Sequence, residues 1–241
     1  MSLAVVLPCF HFQESLDRVL LELEELRSER PQLEIYVVDD GSHPALTLKV
    51  EGPHIHLLRH PKNRGYGAAQ KTGYAVALAQ HAERIVLLHG DGQYPTRGTM
   101  GLADALDNAH AALGSRFLDD GGQAVPWWRR WGNRGLTGAA NLRYGQRLSE
   151  LHTGARAFRA EALLELPLES FSDDFVFDQQ VLAGLLSRGH TIAERPLTAR
   201  YDDTVSSISF RRSIRYGLGC LWTIATTPPC GSGESQDGEA T

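Results

Sequence analysis

Short apolar segments alternate with amphipathic segments through the first half of the chain. Residues 3–7 form an apolar run that ends at Pro8, and residues 33–38 form a second run that ends in two aspartates. Residues 54–58, with Ile55, Leu57 and Leu58, predict a third and shorter strand, and the apolar run at 85–88 predicts a fourth. Between the first two runs, apolar side chains recur at helical spacing with charges between them, which predicts an amphipathic helix carrying Leu16, Val19, Leu20, Leu23 and Leu26.

The same alternation continues beyond the second strand. Residues 66–80 are rich in alanine and predict a helix, residues 99–112 predict another, and a strand is expected at 111–114. Residues 127–148 have a helical pattern that is aromatic and basic. Strands that alternate with helices predict an α/β fold with a mostly parallel central sheet and flanking helices.

Length and composition are those of one globular domain. The chain has 241 residues, of which 42% are apolar and 22% charged. We expect one domain over residues 1–228, with a nucleotide-binding half at 1–117 and an acceptor half at 118–228. Residues 229–241 are rich in Gly, Ser and acids and are expected to form a disordered tail. The net charge of −5 does not favour nucleic acid as a partner.

The sequence carries little sign of export or of membrane insertion. Its three cysteines have no metal-ligand spacing, which favours a reducing compartment over a disulfide framework. The N-terminus lacks a basic segment and a small-residue cleavage site. No apolar run reaches the roughly 18 residues of a membrane span. We therefore expect a cytoplasmic protein.

Two basic segments interrupt this acidic chain. Residues 129–159 hold seven arginines and one acid, Glu150. Three tryptophans precede or interleave with the first of these arginines, and residues 214–224 mix Arg215 with large apolar side chains. Such mixtures are typical of segments that lie at the inner face of a membrane, so we expect peripheral membrane contact there. A solvated basic face, with the tryptophans buried in the core, is the alternative.

Unusual polar residues follow each predicted strand. They are expected to meet along one edge, because ligands bind open parallel sheets beyond the carboxyl ends of the strands. Asp39 and Asp40 follow the second strand, and their carboxylates can accept from a base or a ribose. A turn built on an aspartate and Gly41 is the alternative there. The residues from Asn63 to Gly65 open a helix whose backbone N–H groups can approach a phosphate, unless they only cap it.

The fourth and fifth strands end in residues suited to a metal and a phosphate. His89, Asp91 and Gln93 follow the fourth strand, and a carboxylate there can hold Mg²⁺ or Mn²⁺ against a diphosphate. Imidazole suits Mn²⁺ better than Mg²⁺. The alternative is a Gly-Asp turn. Arg116 follows the fifth strand and could grip a phosphate, or could form a structural salt bridge with a strand-end aspartate.

Taken in order, these segments resemble the family-2 glycosyltransferases of the GT-A fold. The resemblance spans residues 3–215 and is closest to the branch of polyprenyl-phosphate sugar synthases. Its matching stretches are VVLP (5–8), VVDDGS (37–42), NRGYGAA (63–69), GDGQYP (90–95), GSRF (114–117), the segment at 133–136, LHTGARAF (151–158) and FVFD (175–178). It implies a GT-A fold, a nucleotide-sugar donor, a divalent cation and an acceptor such as a polyprenyl phosphate, with inversion at the anomeric carbon.

The resemblance also implies roles for individual residues. The base pocket would be lined by Pro8 and Phe10, the base and ribose would be contacted by Asp39 and Asp40, and Asn63 and Gly65 would lie near the donor. The metal would be held by Asp91, with His89 and Gln93 close by, and Arg116 would face the diphosphate. Asp178 matches an acceptor-side acid, which would act as general base if the acceptor is a hydroxyl. Its alternative is a helix-start acid.

One departure from the family pattern leaves a second function open. His89 stands where the family carries the first acid of its metal-binding motif. A catalytically weak member that binds nucleotide, or a scaffold, would tolerate that change. A sugar-nucleotide pyrophosphorylase is a third alternative, but that class opens with a Gly-rich loop after its first strand. Residues 8–12 read PCFHF instead.

Overall fold

The computed structural model describes residues 1–118, 127–199 and 210–231, without the side chains of Arg129, Phe210, Arg211 and Arg212. In that part of the chain the strands are β1 (Leu3–Cys9), β2 (Leu33–Asp39), β3 (Ile55–Arg59), β4 (Arg84–Leu87), β5 (Ala111–Ser115), β6 (Arg156–Arg159) and β7 (Ile192–Pro196). The helices are α1 (Gln13–Arg27), α2 (Tyr66–Ala79), α3 (Thr96–Met100), α4 (Leu102–Ala105), α5 (Trp127–Tyr144), α6 (Ala160–Leu164), α7 (Phe177–Ser187) and α8 (Phe210–Thr226), with a 3₁₀ turn at Leu168–Ser170.

All seven strands join one sheet in the order β3-β2-β1-β4-β6-β5-β7. The pairs β3/β2, β2/β1, β1/β4 and β5/β7 are parallel, whereas β6 runs antiparallel to both β4 and β5. The predicted α/β fold with a mostly parallel sheet is confirmed. Strand β6 was not predicted, because it is four residues long and has an arginine at each end.

Strand β1 is buried on both of its faces, as a central parallel strand must be. Val5 and Leu7 pack on one side of the sheet with Leu20 of α1. Ala4 and Val6 point to the other side and pack with α2 and α7. This explains why the strand reads as a continuous apolar run, and it leaves the carboxyl end of β1 between two helix layers.

The predicted helix at 99–112 was wrong. Residues 96–105 form two short helices, α3 and α4, which are separated by Gly101. Glycine weakens a helix because its backbone loses the most freedom on ordering. The last residues of the predicted helix are taken by β5, which starts at Ala111 and pairs with β6 and β7.

The helices in the described part of the chain are too short or too polar to cross a membrane. The tail predicted at 229–241 lies outside the described residues from 232 onward.

Candidate active site

A cleft of about 990 Å³ opens at the carboxyl ends of β1 and β4. These strands are neighbours, and the chain passes from β1 to β2 and β3 on one side before β4 returns on the other. The cleft therefore lies at a topological switch point, where open α/β sheets bind ligands. Its described lining is Pro8, Cys9, Phe10, Phe12, Asp40, Asn63, Arg64, Gly65, Tyr66, Ala69, His89, Gly90, Asp91, Ser172, Asp173, Asp174, Phe175, Val176, Arg215, Tyr216 and Gly219.

The loop after β1 presents an aromatic ring to the cleft. Pro8 and Phe10 both line it, and the Phe10 ring is exposed. The backbone N–H of His11 donates to the Ser42 hydroxyl at 2.9 Å, which ties this loop to the one after β2. An exposed ring on a fixed loop is suited to contact a flat heterocycle.

Asp39 and Asp40 point in opposite directions, because successive side chains of a strand alternate between its two faces. Asp39 is fully buried, and its oxygens accept from the backbone of Ser42 at 2.9 Å and of Leu46 at 3.1 Å and from Arg59 Nε at 3.2 Å. Burial by itself raises the pKa of Asp39, but these hydrogen bonds outweigh it and lower the pKa below its usual value. The structure therefore does not bring Asp39 to the cleft, and its contacts fix the loop after β2.

Asp40 lines the cleft and holds the segment that follows β3. Its Oδ1 lies 2.6 Å from His60 Nδ1 and accepts the Arg64 N–H at 2.9 Å, while its Oδ2 accepts the Gly65 N–H at 2.9 Å. The carboxylate is thus a support for the cleft wall as well as part of its surface.

The start of α2 does not offer the phosphate cradle that the sequence suggested. The N–H groups of Arg64 and Gly65 are taken by Asp40, and those of Gly67 and Ala68 donate to the Asp173 carbonyl at 2.8 and 3.2 Å. These donors are satisfied within the chain, so the alternative of a capped helix describes them better. Gly65 lines the cleft with a φ of 111°, and a side chain there would collide with the Asp173 carbonyl.

His89 and Asp91 line the cleft directly after β4. The Asp91 carboxylate is buried to 6% exposure, and its Oδ1 accepts the Gln93 N–H at 3.0 Å. His89 Nε2 lies 2.7 Å from the Tyr66 hydroxyl. Burial raises the pKa of Tyr66 far above its usual value, so this hydroxyl keeps its proton. Gln93 is not among the described residues of the lining.

Arg116 is engaged by Glu150 in the interior. Its Nε lies 2.9 Å from Glu150 Oε1, its Nη2 also contacts that oxygen, and its backbone N–H donates to Oε2 at 2.8 Å. Asn133 Nδ2 adds a 2.7 Å hydrogen bond to the same carboxylate. Arg116 is not among the described residues that line the cleft. This is the structural salt bridge weighed from the sequence, although the partner is Glu150 and not a strand-end aspartate.

Asp178 is also engaged away from the cleft. Its Oδ1 accepts from Gln70 Nε2 at 2.8 Å, and its Oδ2 lies 3.4 Å from Arg156 Nη2. Arg156 is fully buried. Like Arg116, Asp178 is missing from the described lining, so its place in the first turn of α7 fits the helix-start alternative.

The comparison with known families agrees with this architecture. Residues 4–166, more than half of the chain, match the family model described as glycosyl transferase family 2. The chain belongs to that family. This glycosyltransferase is 28% identical over 209 residues to the undecaprenyl-phosphate mannosyltransferase of Micrococcus luteus, covering 82% of this chain and 83% of the relative. It is 26% identical over 203 residues to the polyprenol monophosphomannose synthase of Mycolicibacterium smegmatis, covering 80% and 76%.

Solved structures share the fold of this glycosyltransferase. Mannosyl-3-phosphoglycerate synthase from Rubrobacter xylanophilus superposes with a TM-score of 0.68 at 16% identity, covering 93% of this chain and 73% of that one. Glucosyl-3-phosphoglycerate synthase from Mycobacterium tuberculosis, solved with Mn²⁺, UDP and phosphoglyceric acid, superposes with a TM-score of 0.65 at 16% identity, covering 95% and 80%. At this identity the likeness establishes the GT-A fold.

The sequence did not identify the far wall of the glycosyltransferase cleft. That wall is formed by residues 172–176 and by Arg215, Tyr216 and Gly219 of α8. Arg215 supplies a cationic group on this wall, and Arg64, in the segment after β3, supplies another to the cleft. A signal existed for Arg215, since it belongs to the second basic segment. In the loop at 172–176, Phe175 and Val176 belong to the FVFD stretch of the family resemblance. Residues 172–174 had no signal, because their place depends on contacts with residues about a hundred positions earlier, such as Lys71.

Proposed function

We propose that this glycosyltransferase moves a sugar from a nucleotide-sugar to a polyprenyl phosphate, with inversion. The observation that carries the proposal is the set of residues that line the cleft. Asp91 and Phe10 come from the ends of β4 and β1, and Arg215 comes from α8. One cleft thus combines a donor side with a cationic side for an anionic acceptor. The names of the two curated relatives support this acceptor class.

The residues at the end of β4 fit a divalent cation that arrives with the donor. Among the described residues, no group of three His, Cys, Asp or Glu side chains could hold a metal unaided. Mg²⁺ and Mn²⁺ sites of this kind take one or two carboxylates and complete their shell with phosphate oxygens and water. Asp91 would supply the carboxylate, with His89 beside it. A bound cation would neutralise charge on the leaving diphosphate. Mn²⁺ with UDP in a structure of the same fold supports this cofactor class.

The remaining roles follow from position in the cleft. Pro8 and Phe10 receive the base, and Asp40, Asn63 and Gly65 form the wall beside it. Asp39 and Arg116 act indirectly, by holding the loops after β2 and β5. An acceptor phosphate is already a nucleophile at neutral pH, so the reaction does not need Asp178 as a base. Residues 1–117 then serve the donor, while residues 118–228 contribute the acceptor side.

One observation favours the alternative of a catalytically weak, nucleotide-binding member. His89 replaces the first acid of the family motif, and the structure pairs its Nε2 with the Tyr66 hydroxyl. A second carboxylate is therefore missing at this end of β4, and the affinity for a cation depends chiefly on Asp91.

The deciding experiment is a transfer assay with UDP-, GDP- and dTDP-sugars and a short-chain polyprenyl phosphate in detergent, with and without Mn²⁺. We expect a glycosylated lipid phosphate from one donor, with an inverted anomeric configuration by NMR. Thermal shift under the same conditions identifies the donor, because a ligand at about 100 times its Kd adds about 2.7 kcal/mol of stability. Donor binding without transfer would establish the alternative.

A further inference from the structure

The solvent-facing side of α8 is apolar. Ile214, Leu218, Leu221 and Trp222 recur at the spacing of one helix face, and all four are exposed, Trp222 to 72%. The opposite face carries Cys220, which is buried. Amphipathic helices of globular proteins normally bury the apolar stripe, so α8 presents to solvent the kind of face that usually packs inside.

Helix α5 repeats this arrangement. Trp127, Trp131 and Leu142 lie on one side of the helix and are 75%, 68% and 89% exposed. The buried side carries Asn133 and Thr137, which hydrogen-bond to each other at 3.1 Å, together with Ala140 and Tyr144. The alternative weighed from the sequence, in which the tryptophans are buried in the core, is wrong for Trp127 and Trp131. Helix α5 packs against α8, and Arg143 Nε donates to the Ile224 carbonyl at 3.3 Å.

Both helices are strongly basic. The sequences of α5 and α8 contain seven arginines between them and no Asp or Glu, in a chain whose net charge is −5. Arg134, Arg143 and Arg215 are exposed beside the apolar stripes. Exposed indole rings flanked by arginines are complementary to a surface with an apolar interior and anionic headgroups.

We propose that the apolar faces of α5 and α8 form a docking surface for an anionic lipid bilayer. The helices would lie in the headgroup region without crossing it, in the manner of interfacial amphipathic helices. The position of α8 gives this surface a purpose, since its Arg215, Tyr216 and Gly219 also line the cleft. A lipid phosphate could then reach the cleft past Arg215 while its hydrocarbon chain stays in the bilayer, a step that rests on the proposed function.

Charge argues against a second copy of the chain as the occupant. A symmetric dimer buries the same patch of both subunits. Self-association through α5 and α8 would bring arginines of one copy toward arginines of the other with no acidic residue on either helix to pair with them. Like charges across an interface are unfavourable, whereas an anionic bilayer satisfies them.

The test is co-sedimentation of the full chain with phosphatidylcholine vesicles, with and without phosphatidylglycerol, at low and high salt. No polyprenyl phosphate or donor is present, so docking is measured separately from catalysis. We expect binding to the anionic vesicles that weakens with salt. The double substitution Leu218→Glu/Trp222→Glu should lower the partition coefficient at least about tenfold, because it places two charges on the buried side of an interfacial helix.

The matched control is Leu164→Glu, which changes a leucine of similar exposure on α6 and should bind vesicles like wild type. Nucleotide binding by calorimetry verifies that both variants retain the cleft. Absence of vesicle binding, or equal loss in the α6 control, would overturn the docking surface. A dimer by analytical ultracentrifugation that Leu218→Glu/Trp222→Glu dissolves would assign these faces to a second copy instead. Transfer to a detergent-dispersed acceptor would leave the proposed function standing in either case.

Discussion

Lys71 Nζ lies 2.8 Å from the Asp173 carboxylate and ties α2 to the far wall of the cleft. The same ammonium donates to the Phe171 carbonyl at 2.6 Å. Lys71 is 9% exposed although it belongs to a long, flexible residue type. A buried cation with three donors thus fixes a loop about a hundred residues further along the chain, part of which lines the cleft.

We expect Lys71→Met to lower the free energy of unfolding by about 1–3 kcal/mol, since it removes a charged donor from the Phe171 carbonyl, while the Asp173 carboxylate is exposed enough to be hydrated. It should also raise the KM for the acceptor more than it lowers kcat, because loop 172–176 loses its anchor. Urea unfolding and steady-state kinetics measure both effects. Lys49→Met is the matched control: Lys49 pairs with Asp17 at 2.7 Å, but its side chain is 70% exposed. Equal losses in the two variants would contradict an anchoring role for Lys71.

Gly65 allows both an unusual backbone conformation and a close approach to the Asp173 carbonyl in the cleft wall. Its φ of 111° is a conformation that side chains disfavour, and an added Cβ would collide with the Asp173 carbonyl. Gly65→Ala should therefore destabilise the fold by about 2–4 kcal/mol. Gly135→Ala supplies the comparison, because Gly135 is helical and a Cβ there meets nothing within 4 Å. That variant should gain about 0.5–1 kcal/mol. Thermal unfolding compares them, and opposite signs are the expected result.

Asp91 is expected to carry the metal dependence of donor binding. Asp91→Asn removes the negative charge but keeps an oxygen that can accept from Gln93, so the fold should persist. We expect Mn²⁺-dependent nucleotide binding to weaken at least about tenfold, or about 1.4 kcal/mol, by calorimetry. Asp104→Asn is the control, since Asp104 forms an exposed ion pair with Arg30. If Asp91→Asn binds nucleotide with Mn²⁺ as tightly as wild type does, Asp91 is not a metal ligand.

Arg116 is expected to stabilise the fold through Glu150 and not to contact the donor directly. Arg116→Met leaves the Glu150 carboxylate buried without its cation and should cost about 3–5 kcal/mol. The double variant Arg116→Met/Glu150→Leu should recover part of this loss, since a buried pair can be replaced by apolar groups at low cost. Urea unfolding of the single and double variants gives the coupling energy. If Arg116→Met instead has normal stability but binds nucleotide more weakly, Arg116 contacts the donor diphosphate.

The sequence located the edge of the sheet that carries the cleft, but not the partners of each polar group. Pro8, Asp40 and Asp91 could be placed because each directly follows an apolar run that ends at the same sheet edge. Asp39 could not be told from Asp40, since the two face opposite ways and differ only in distant partners, such as Arg59 and His60.

Long-range contacts explain the other differences. Glu150 lies 34 positions beyond Arg116, and no periodic pattern joins them. For α5 the sequence showed the residues but did not decide whether they are buried or exposed. The sequence showed that Trp127 and Trp131 lie among arginines, but only the described packing shows that they share a helix face and are exposed to solvent.

His152 should make the protein less stable in mild acid. Burial, together with the charges of Arg156 and Arg116, lowers the pKa of His152 to about 3. Its Nδ1 lies 2.7 Å from the Tyr216 hydroxyl, and its buried Nε2 has no partner among the described residues. In the unfolded chain a histidine titrates near pH 6.5. Between these values the unfolded state binds a proton that the folded state does not, so stability falls as pH falls from about 6.5 toward 3.

The expected contribution of His152 is at most about 1.4 kcal/mol per pH unit in that window, and none above it. His152→Gln cannot take up the proton when it unfolds, so its stability should fall less steeply than that of wild type between pH 6.5 and 4.5. Urea unfolding at several pH values gives both slopes, and their difference isolates His152 from the carboxylates that titrate in both proteins. His81→Gln, at an exposed histidine, is the control substitution. Parallel slopes in wild type and His152→Gln would mean that the buried imidazole accepts a proton in the folded state.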